Sequence, residues 1–275
     1  MTRRDYNAAA VQAAKSVMIE VVSVLGEYRG DLAVVGGQAP ELLVPSGESP
    51  HVGSIDVDLA LNHTHLRRPG YKRIQDLLLE RGYERGRHFF QFTKRVKVGD
   101  EECAVNVDLL AGIDAGTDPL DSSQIIHDEA LALKVRGCDL LFELGPVEVA
   151  VEGNLPCGAR TAVRIPVAAP VPFLVMKGIA LAGRHKEKDA YDVFYLIRNY
   201  PGGARALADE FRPHLGHNIV QEGLEHIANA FRSVDSPGPA WIAGFEETAS
   251  AGEREMIQRR AFEVVNEFLA SLGAR

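Results

Sequence analysis

The chain has 275 residues, of which 46% are hydrophobic and 25% are charged. This balance is typical of a folded globular protein and excludes a disordered or fibrous chain. The formal net charge of −8 at pH 7 argues against a protein that coats long stretches of nucleic acid, so any contact with nucleic acid would use a local basic patch.

The cysteines predict a reduced, intracellular setting. Cys103, Cys138 and Cys157 are far apart and form no C-x-x-C pair, which argues against a disulfide framework or a zinc site. Neither a signal peptide nor a transmembrane span is recognisable, because Glu20 and Glu27 interrupt the apolar stretch near the N-terminus. We therefore expect a cytoplasmic protein with no membrane partner.

The first segments of the chain alternate between helical and strand patterns. The spacing of apolar residues predicts a helix over 7–27, and the apolar run at 32–35 predicts a short buried strand. The strand ends at Gly36-Gly37, and a short helix over 39–44 follows. A glycine pair after a strand is often only a tight turn, but it also lets bare backbone N–H groups approach a triphosphate.

Residues 54–59 alternate between polar and apolar side chains, which predicts a strand. Ser54, Asp56 and Asp58 share one face of this strand, and the other face is wholly apolar. An isolated D-x-D pair most often lines a solvated face. The apolar opposite face and the glycine pair upstream favour a site for metal and phosphate instead, in which Ser54 donates a hydrogen bond to a substrate phosphate.

A third carboxylate lies on a later strand. After a helix over 71–81, the pattern predicts a hairpin of strands at 89–98 and 102–110, joined by a Gly-Asp turn. Asp108 lies on the second of these strands, on the face opposite to Val105, Val107 and Leu109. It is therefore the candidate to complete the carboxylate site.

The three carboxylates Asp56, Asp58 and Asp108 have the chemistry of a magnesium site. Magnesium prefers oxygen ligands and is usually bound by one or two carboxylates together with substrate phosphates. Two such ions can stabilise both the attacking and the leaving oxygens of phosphoryl transfer. We predict that these residues are both metal ligands and catalytic residues, with two Mg²⁺ ions and a nucleoside triphosphate as the substrate.

The second half of the chain changes in character. Two more short strands are predicted at 139–144 and 146–151, and a Pro- and Gly-rich stretch at 153–172 is the predicted boundary. Helical patterns then follow over 172–183, 187–199, 203–215, 217–232 and 253–272. The sequence predicts an α+β fold with a mixed α/β domain over 1–165 and an all-helical domain over 166–275.

A lone lysine, Lys177, lies in an otherwise apolar predicted helix. Such a lysine either extends its ammonium group to solvent or pairs with a charge. A triphosphate site upstream favours a role in neutralising phosphate charge. The next helix opens with Asp189 and Asp192, which are neighbours on its surface; acidic residues are common at a helix start because of the helix dipole. In the functional interpretation, Asp189 orients Lys177 or contacts the nucleotide.

These motifs together resemble the nucleotidyltransferase AbiEii/AbiGii toxin family, the enzymatic partners of type IV toxin–antitoxin systems. The first part of the resemblance is G-G-x-A at 36–39 followed by S-x-D-x-D at 54–58. The second part is a K-x-x-A … R-x-K-x-K-D-x-x-D … L pattern carried by Lys177, Ala180, Arg184, Lys186, Lys188, Asp189, Asp192 and Leu196. Shortly before S-x-D-x-D, where many members carry a basic residue, this chain has only His51.

The resemblance implies a polymerase-β-like nucleotidyltransferase domain, a mixed sheet with flanking helices, followed by a helical domain. It also implies that Asp56 and Asp58 bind the metal and that Lys177 and Asp189 belong to later catalytic motifs. The nucleotide-binding residues expected in this way are Gly36, Gly37, Ser54, Lys177, Arg184 and Lys188. Family members are thought to transfer nucleotides to RNA, notably to the 3′ end of tRNA, and so to block translation, so a cognate antitoxin is an expected partner.

Two other functions stay open on the residues alone. One is a nucleotidyltransferase that modifies a small molecule such as an antibiotic, which the acidic net charge favours. The other is a non-catalytic module that binds a nucleotide or an antitoxin. If RNA is the acceptor, the segment 81–97 is the candidate contact, because Phe89, Phe90 and Phe92 interleave with basic residues and could stack on bases.

Overall fold

The computed structural model describes residues 2–45, 47, 49–66, 73–113, 123–127 and 130–273. As the sequence predicts, the architecture is α+β, with a mixed sheet flanked by helices and a helical C-terminal region. Within the described ranges, no helix is both long and apolar enough to cross a membrane.

Contacts within the chain divide it into two compact units. The sheet unit comprises Tyr6–Ala39 and Gly53–Ala169. The helical unit comprises Met1–Asp5, Pro40–Val52 and Pro170–Arg275. The chain therefore leaves the sheet unit at Pro40 and returns to it at Gly53. The predicted domains, 1–165 and 166–275, do not include this excursion.

The sheet unit is built on one mixed sheet. Its strands, among the described residues, are β1 (Leu32–Val35), β2 (Val57–Leu61), β3 (Glu84–Arg85), β4 (Gln91–Val98), β5 (Glu101–Ala111), β6 (Ser123–His127), β7 (Ala130–Lys134), β8 (Val147–Asn154) and β9 (Arg160–Val167). Their order is β3-β4-β5-β2-β1-β9-β8, and the hairpin β6–β7 joins β5 through β7. The pairs β2–β5, β1–β9 and β5–β7 are parallel and the others antiparallel.

Helix α1 (Ala8–Val24) packs against the sheet, where it contacts β4, β5 and β8. It begins after Asn7, whose side chain accepts a hydrogen bond from the backbone N–H of Ala10 at 2.8 Å. Its apolar positions, such as Met18 and Val21, are fully buried. Among the described residues, the shorter α-helices that follow are α2 (Ala39–Leu43, of which only Ala39 belongs to the sheet unit), α3 (Arg73–Glu80) and α4 (Cys138–Leu144).

The predicted strand over 54–59 is misplaced by three residues. Strand β2 begins at Val57, so Ser54 and Asp56 lie in the segment that leads into the strand and only Asp58 lies within it. The reason is the length of its partner: β1 ends at Val35, which pairs with Asp58, and the chain then turns at Gly36. The polar–apolar alternation therefore begins at Ser54, before the residues of β2 that pair with a neighbouring strand.

The predicted strand at 139–144 is wrong, because these residues belong to helix α4. Gly137 and Gly145 bound the helix with φ angles of 86° and 83°, which favour glycine, and Leu140 and Leu141 face the core. A short apolar run does not distinguish a strand from a buried helix by its period. The neighbouring prediction, a strand at 146–151, is confirmed by β8.

The Pro- and Gly-rich stretch at 153–172 contains the boundary between the two units, at Ala169 and Pro170, but most of it forms a hairpin strand and a helix start. It contains β9, which pairs with β8 and β1. Pro156 and Gly158 lie in the turn between β8 and β9, where Gly158 has a φ of 87°. Pro170 and Pro172 lie in the first turn of α5, where a missing N–H costs nothing.

The helical unit confirms the five predicted C-terminal helices and adds one. Its helices are α5 (Pro170–Gly183), α6 (Glu187–Asn199), α7 (Gly203–Phe211), α8 (Asn218–Ala230), α9 (Pro237–Phe245) and α10 (Ala251–Ser271). Helix α9 escapes the sequence pattern because it opens with Pro-Gly-Pro, which is typical of a loop. Pro237 is tolerated at the first helical position, and a side chain at Gly238 would clash with the carbonyl of Ala230.

Two glycines allow helices α5 and α8 to pack closely. A Cβ atom on Gly178 would lie 2.2 Å from the carbonyl oxygen of Gly223, and one on Gly223 would lie 2.8 Å from the Cα of Val175. The backbones therefore approach each other where any side chain would separate them. This contact fixes α5, the helix that carries Lys177.

Candidate active site

A row of side chains crosses four strands of the sheet unit at the predicted site. The register pairs Val35 with Asp58, Asp58 with Asp108, and Asp108 with Gln91. Neighbouring strands lie about 4.8 Å apart, and register partners point to the same face. Asp58 and Asp108 therefore lie side by side, and the amide Nε2 of Gln91 donates a hydrogen bond to Asp108 Oδ1 at 2.9 Å.

Gly36 makes room for the Asp58 carboxylate. The chain turns at Gly36–Gln38 directly after β1, and Gly36 has a φ of 66°. A Cβ atom at this position would lie 1.8 Å from Asp58 Oδ2 and 2.9 Å from Asp58 Cβ. Glycine is thus required twice, by the backbone conformation and by the carboxylate. The sequence motif G-G and the sequence motif D-x-D meet at this point.

Gly36→Ala is expected to lower the free energy of unfolding by about 2–5 kcal/mol, from left-handed backbone strain together with overpacking against Asp58. Gly99→Ala is the matched control, since Gly99 has a φ of 61° but a Cβ atom added there would meet no other atom within 4 Å. The control should lose only about 1–2 kcal/mol. Chemical denaturation measures both free energies of unfolding. Equal losses would show that the position of the Asp58 carboxylate does not require the space at Gly36.

Asp56 is held just before β2 by two polar contacts. Ser54 Oγ donates to Asp56 Oδ1 at 2.6 Å, and Gln38 Nε2 donates to the Asp56 carbonyl at 3.3 Å. Ser54 and Gln38 are both buried. The predicted phosphate ligand Ser54 is therefore engaged with a carboxylate, and its hydroxyl would have to turn to reach a substrate. Gln38 and Gln91 support the site but carry no motif that sequence analysis could recognise.

The donor set fits magnesium, although it is not drawn together as a metal cage. Among the described residues, no group of three His, Cys, Asp or Glu side chains has metal-binding geometry. Ser54 donates a hydrogen bond to one carboxylate oxygen of Asp56, and Gln91 donates one to a carboxylate oxygen of Asp108. The donors are nevertheless hard oxygens, and the space left by Gly36 gives the Asp58 carboxylate its position. Asp56, Asp58 and Asp108 are the residues that would hold the metal.

The predicted residues of the second half form a buried charge cluster within the helical unit. Lys177 Nζ on α5 lies 2.6 Å from Asp189 Oδ1 and 2.8 Å from Asp192 Oδ2, both on α6. The guanidinium of Arg184 contacts Asp189 through Nε at 3.0 Å and through Nη2 at 3.2 Å. The sequence-based expectation that Asp189 orients Lys177 matches this ion pair.

Asp192 is the centre of the cluster. It is fully buried, and besides Lys177 it contacts Lys188 Nζ and His51 Nε2 at 2.6 and 2.9 Å, both through Oδ1. Burial alone would raise the pKa of Asp192, but the two ammonium groups outweigh it and hold the pKa far below its usual range. Asp189 follows the same logic: burial opposes ionisation, and Lys177 and Arg184 lower its pKa.

Counted at neutral pH, the cluster has one more positive charge than negative. Lys177, Lys188 and Arg184 carry three positive charges, and Asp189 and Asp192 carry two negative ones. Burial would lower the pKa of Lys177, but its two carboxylates raise it above its ordinary value, so the ammonium stays charged. The Arg184 side chain is 55% exposed, so the positive end of the cluster faces solvent.

His51 is expected to make the fold less stable in mild acid. Burial lowers its pKa and Lys188 lowers it further, against the opposing hydrogen bond with Asp192 and a weaker effect of Glu41. Below the ordinary pKa of 6.5 the unfolded chain binds a proton that the folded chain does not, so stability falls as the pH falls, by at most about 1.4 kcal/mol per pH unit. Unfolding free energies between pH 7.5 and pH 5.5 measure this slope.

His51→Gln removes the titrating group and keeps a side-chain donor for Asp192, so this variant should show a flatter pH dependence than the unmodified chain. His185→Gln, which changes an exposed histidine of the same unit, should keep the original slope. If both variants follow the unmodified chain, proton uptake by His51 does not contribute to the pH dependence.

The candidate RNA contact at 81–97 divides into buried side chains and exposed ones. Phe92 is 1% exposed and belongs to the core, whereas Phe89 is 40% exposed and packs edge-on against Phe90. Lys94 contacts Glu20 at 3.6 Å and lies over the ring of Tyr83. Of the three phenylalanines, Phe89 therefore has the most surface available for a base.

Comparison with known proteins adds no further assignment: no family model matches this chain, and no curated protein matches it significantly.

Proposed function

We propose that this chain is a metal-dependent nucleotidyltransferase with a polymerase-β-like domain, related to the AbiEii/AbiGii toxins. The observation that carries the proposal is the register pair of Asp58 and Asp108, beside a glycine turn that leaves space for the Asp58 carboxylate. A purely structural strand face has no need for two carboxylates directly opposite each other, because like charges in that position destabilise a sheet.

In the proposed reaction, the acceptor hydroxyl oxygen bonds to the α-phosphorus of an NTP, the bond to the β-phosphate oxygen breaks, and diphosphate leaves. Magnesium held by Asp56, Asp58 and Asp108 would offset the triphosphate charge and act as a Lewis acid on the phosphoryl oxygens. A carboxylate oxygen of Asp108 would accept the proton of the acceptor hydroxyl. The N–H groups of the Gly36–Gln38 turn would donate to phosphate oxygens.

The charge cluster of the helical unit is proposed to position an anion-binding arginine. Lys177 is enclosed by two carboxylates, so its direct effect on a phosphate is small, but it holds Asp189 in place. Asp189 in turn accepts two hydrogen bonds from the Arg184 guanidinium, which is half exposed and suited to bidentate contact with a phosphate. Lys188 supports the same arrangement through Asp192.

The acceptor is proposed to be RNA, with the 3′ end of tRNA as the target, on the strength of the motif resemblance. Transfer to that end would block translation, and a cognate antitoxin would then be a partner. A small molecule with a hydroxyl or amine group is the alternative acceptor. The net charge of −8 and the internal contacts of Lys94 favour this alternative.

The test is to incubate the protein with magnesium, each labelled NTP in turn, and either total tRNA or a panel of aminoglycoside and nucleoside acceptors. The double variant Asp58→Asn with Asp108→Asn is the control. Label that enters tRNA, and is absent with the double variant, is the expected result, and it also identifies the nucleotide.

Label in a small acceptor but not in tRNA would replace the RNA assignment and keep the reaction class. Binding of NTP and magnesium with no transfer to either acceptor would favour a non-catalytic module. Transfer that persists in the double variant would contradict the carboxylate site itself.

A further inference from the structure

A polar pocket of about 520 Å³ lies in the sheet unit, at the opposite end of β2 from Asp58. Strands β2, β5 and β7 are parallel, and near their ends Leu61 pairs with Ala111 and Ala111 with Lys134. Their carboxyl ends therefore share one edge of the sheet, where parallel strands commonly present ligand sites. The pocket is lined by the loop 62–65 after β2, by Ile113 after β5, and by Asp139, Phe142 and Glu143 of α4.

His63 is buried in the wall of this pocket without a hydrogen bond. It is 4% exposed, and neither Nδ1 nor Nε2 has a hydrogen-bond partner. A neutral imidazole has one N–H donor and one acceptor nitrogen, and burying both of them unpaired is unfavourable. The Nδ1 atom lies 3.6 Å from Asp139 Oδ1, which is too long for a hydrogen bond. A ligand at Nδ1 would therefore offset part of this unfavourable burial.

The backbone after β5 holds the Asp139 carboxylate in place. The N–H of Ile113 donates to Asp139 Oδ2 at 3.1 Å. Gly112 makes room for the same group, because a Cβ atom at this position would lie 1.7 Å from Oδ1 and 2.0 Å from Cγ of Asp139. With Oδ2 engaged by the backbone, Oδ1 is the carboxylate oxygen that contacts His63.

The distance between His63 Nδ1 and Asp139 Oδ1 suits two ligands of one transition metal. Zinc binds histidine nitrogen at about 2.0–2.1 Å and carboxylate oxygen at about 2.0–2.2 Å. At a tetrahedral angle these bonds place the two ligand atoms about 3.4 Å apart, close to the 3.6 Å observed. A direct hydrogen bond would instead bring the two atoms to about 2.7–3.2 Å.

We propose that the pocket binds one divalent transition-metal ion, with zinc as the representative, through His63 Nδ1, Asp139 Oδ1 and the Glu143 carboxylate. Glu143 lies at i+4 from Asp139 on α4, so the two side chains are neighbours on one helix face. These three described groups do not already converge on one point, so the exposed Glu143 side chain turns to complete the set. The imidazole ligand favours zinc or another first-row transition metal over magnesium or calcium.

The neighbouring His65 is outside the proposed ligand set. Its side chain is 70% exposed, and its Nδ1 contacts Asp31 Oδ1 at 3.2 Å. Asp139 and Glu143 make further contacts within the chain, and these are compatible with metal binding. A carboxylate accepts several bonds at once, and outer partners commonly orient the ligands of a metal. The pocket thus differs from the proposed magnesium site both in its residues and in the metal that it prefers.

The test is a titration of the full chain with zinc(II) and with cobalt(II), whose visible absorption reports its ligands, in excess magnesium. We expect saturable binding of one ion. Asp139→Asn should weaken binding at least about a hundred-fold, because losing only an outer partner of a ligand already costs about 10–100-fold. Glu143→Gln, an exposed change that is expected to fold, should weaken binding about ten-fold or more. His88→Gln changes an exposed histidine of the same unit outside the pocket and should leave the affinity within about two-fold.

His63→Leu distinguishes a metal ligand from a histidine with a structural role. The variant should lose cobalt binding. In the metal-free chain it should leave the free energy of unfolding unchanged or higher, because it removes two buried polar atoms that have no hydrogen bond. A lower free energy of unfolding in the metal-free variant, together with unchanged cobalt binding, would assign His63 to an ion pair with Asp139 and overturn the proposal.

The proposal is also overturned if no ion binds saturably in excess magnesium, or if His88→Gln weakens binding as much as Asp139→Asn. It is independent of the transfer reaction. Cobalt binding should persist in the Asp58→Asn, Asp108→Asn double variant, whether or not the chain transfers nucleotides. Loss of cobalt binding in that double variant would place the metal at the transfer site and remove it from the His63 pocket.

Discussion

Asp108→Asn is expected to reduce nucleotide transfer at least about a thousand-fold, equivalent to a loss of about 4 kcal/mol of transition-state stabilisation. Asparagine has the same shape, and its amide oxygen can still accept the hydrogen bond that Gln91 donates to Asp108. What changes is the charge: the variant has one anionic ligand fewer for a divalent cation and no carboxylate to accept a proton. Rates of label transfer at saturating NTP measure this loss.

The same substitution is expected to leave the free energy of unfolding unchanged or slightly higher. Asp58 and Asp108 are register partners, and removing one of two like charges relieves their repulsion. Asp100→Asn, in the exposed turn between β4 and β5, is the control and should change neither quantity. A loss of activity accompanied by a loss of stability would indicate that Asp108 has a structural role, and full activity would remove it from the site.

Much of the fold could be predicted because the local signals and the tertiary structure agree. Helix α1 has its cap at Asn7 and a regular apolar face, and the hairpin β4–β5 has its Gly-Asp turn. The strand predicted at 139–144 is wrong because a short apolar run does not distinguish a strand from a buried helix. The other failures share a different cause, which is that the ends of elements depend on partners elsewhere in the chain. Strand β2 begins where β1 ends, and the Pro-Gly-Pro start of α9 is tolerated because Gly238 packs against α8.

The sequence points to the carboxylates and the glycine turn of the candidate site but not to its glutamines. Asp58 and Asp108 stand out because carboxylates on alternating strands are unusual, and their adjacency follows from the parallel pairing of β2 with β5. Gln38 and Gln91 could not be found in this way, because a glutamine on a strand or turn has no spacing that separates it from a surface residue. Their contacts with Asp56 and Asp108 depend on how the strands pair, and a single sequence does not show that pairing.

The charge cluster of the helical unit also contains residues that the sequence indicates and a residue that only the structure places there. The sequence points to Lys177 and Asp189, but the residue with the most partners is Asp192, and one of those partners is His51 from a distant segment. His51 lies in the segment Pro40–Val52, which belongs to the helical unit. No periodicity in the sequence predicts that this segment packs with the C-terminal helices. Stability of the unit should therefore depend more on Asp192 than on Lys177 or Asp189.

Asp192→Asn is expected to lower the free energy of unfolding by about 3–5 kcal/mol, because removing one member of a buried ion network leaves the others uncompensated. In the variant, Lys177 and Lys188 stay buried with Asp189 as the one carboxylate of the cluster, and Asp189 is already shared with Arg184. Denaturant unfolding at pH 7 measures the loss. Asp209→Asn breaks an exposed ion pair with Arg212 and, as the control, should cost about 1 kcal/mol or less.

The pH dependence and a double variant separate this electrostatic cause from a packing defect. The folded-state pKa of Asp192 lies below its unfolded value of 3.8, so its contribution is present at neutral pH and is lost as the pH falls below about 4. The difference between Asp192→Asn and the unmodified chain should therefore shrink in acid. Adding Lys188→Met to Asp192→Asn removes one of the uncompensated charges, so the double variant should lose less stability than the sum of the two single changes. Strict additivity, or a difference that does not change with pH, would assign the loss to packing rather than to charge.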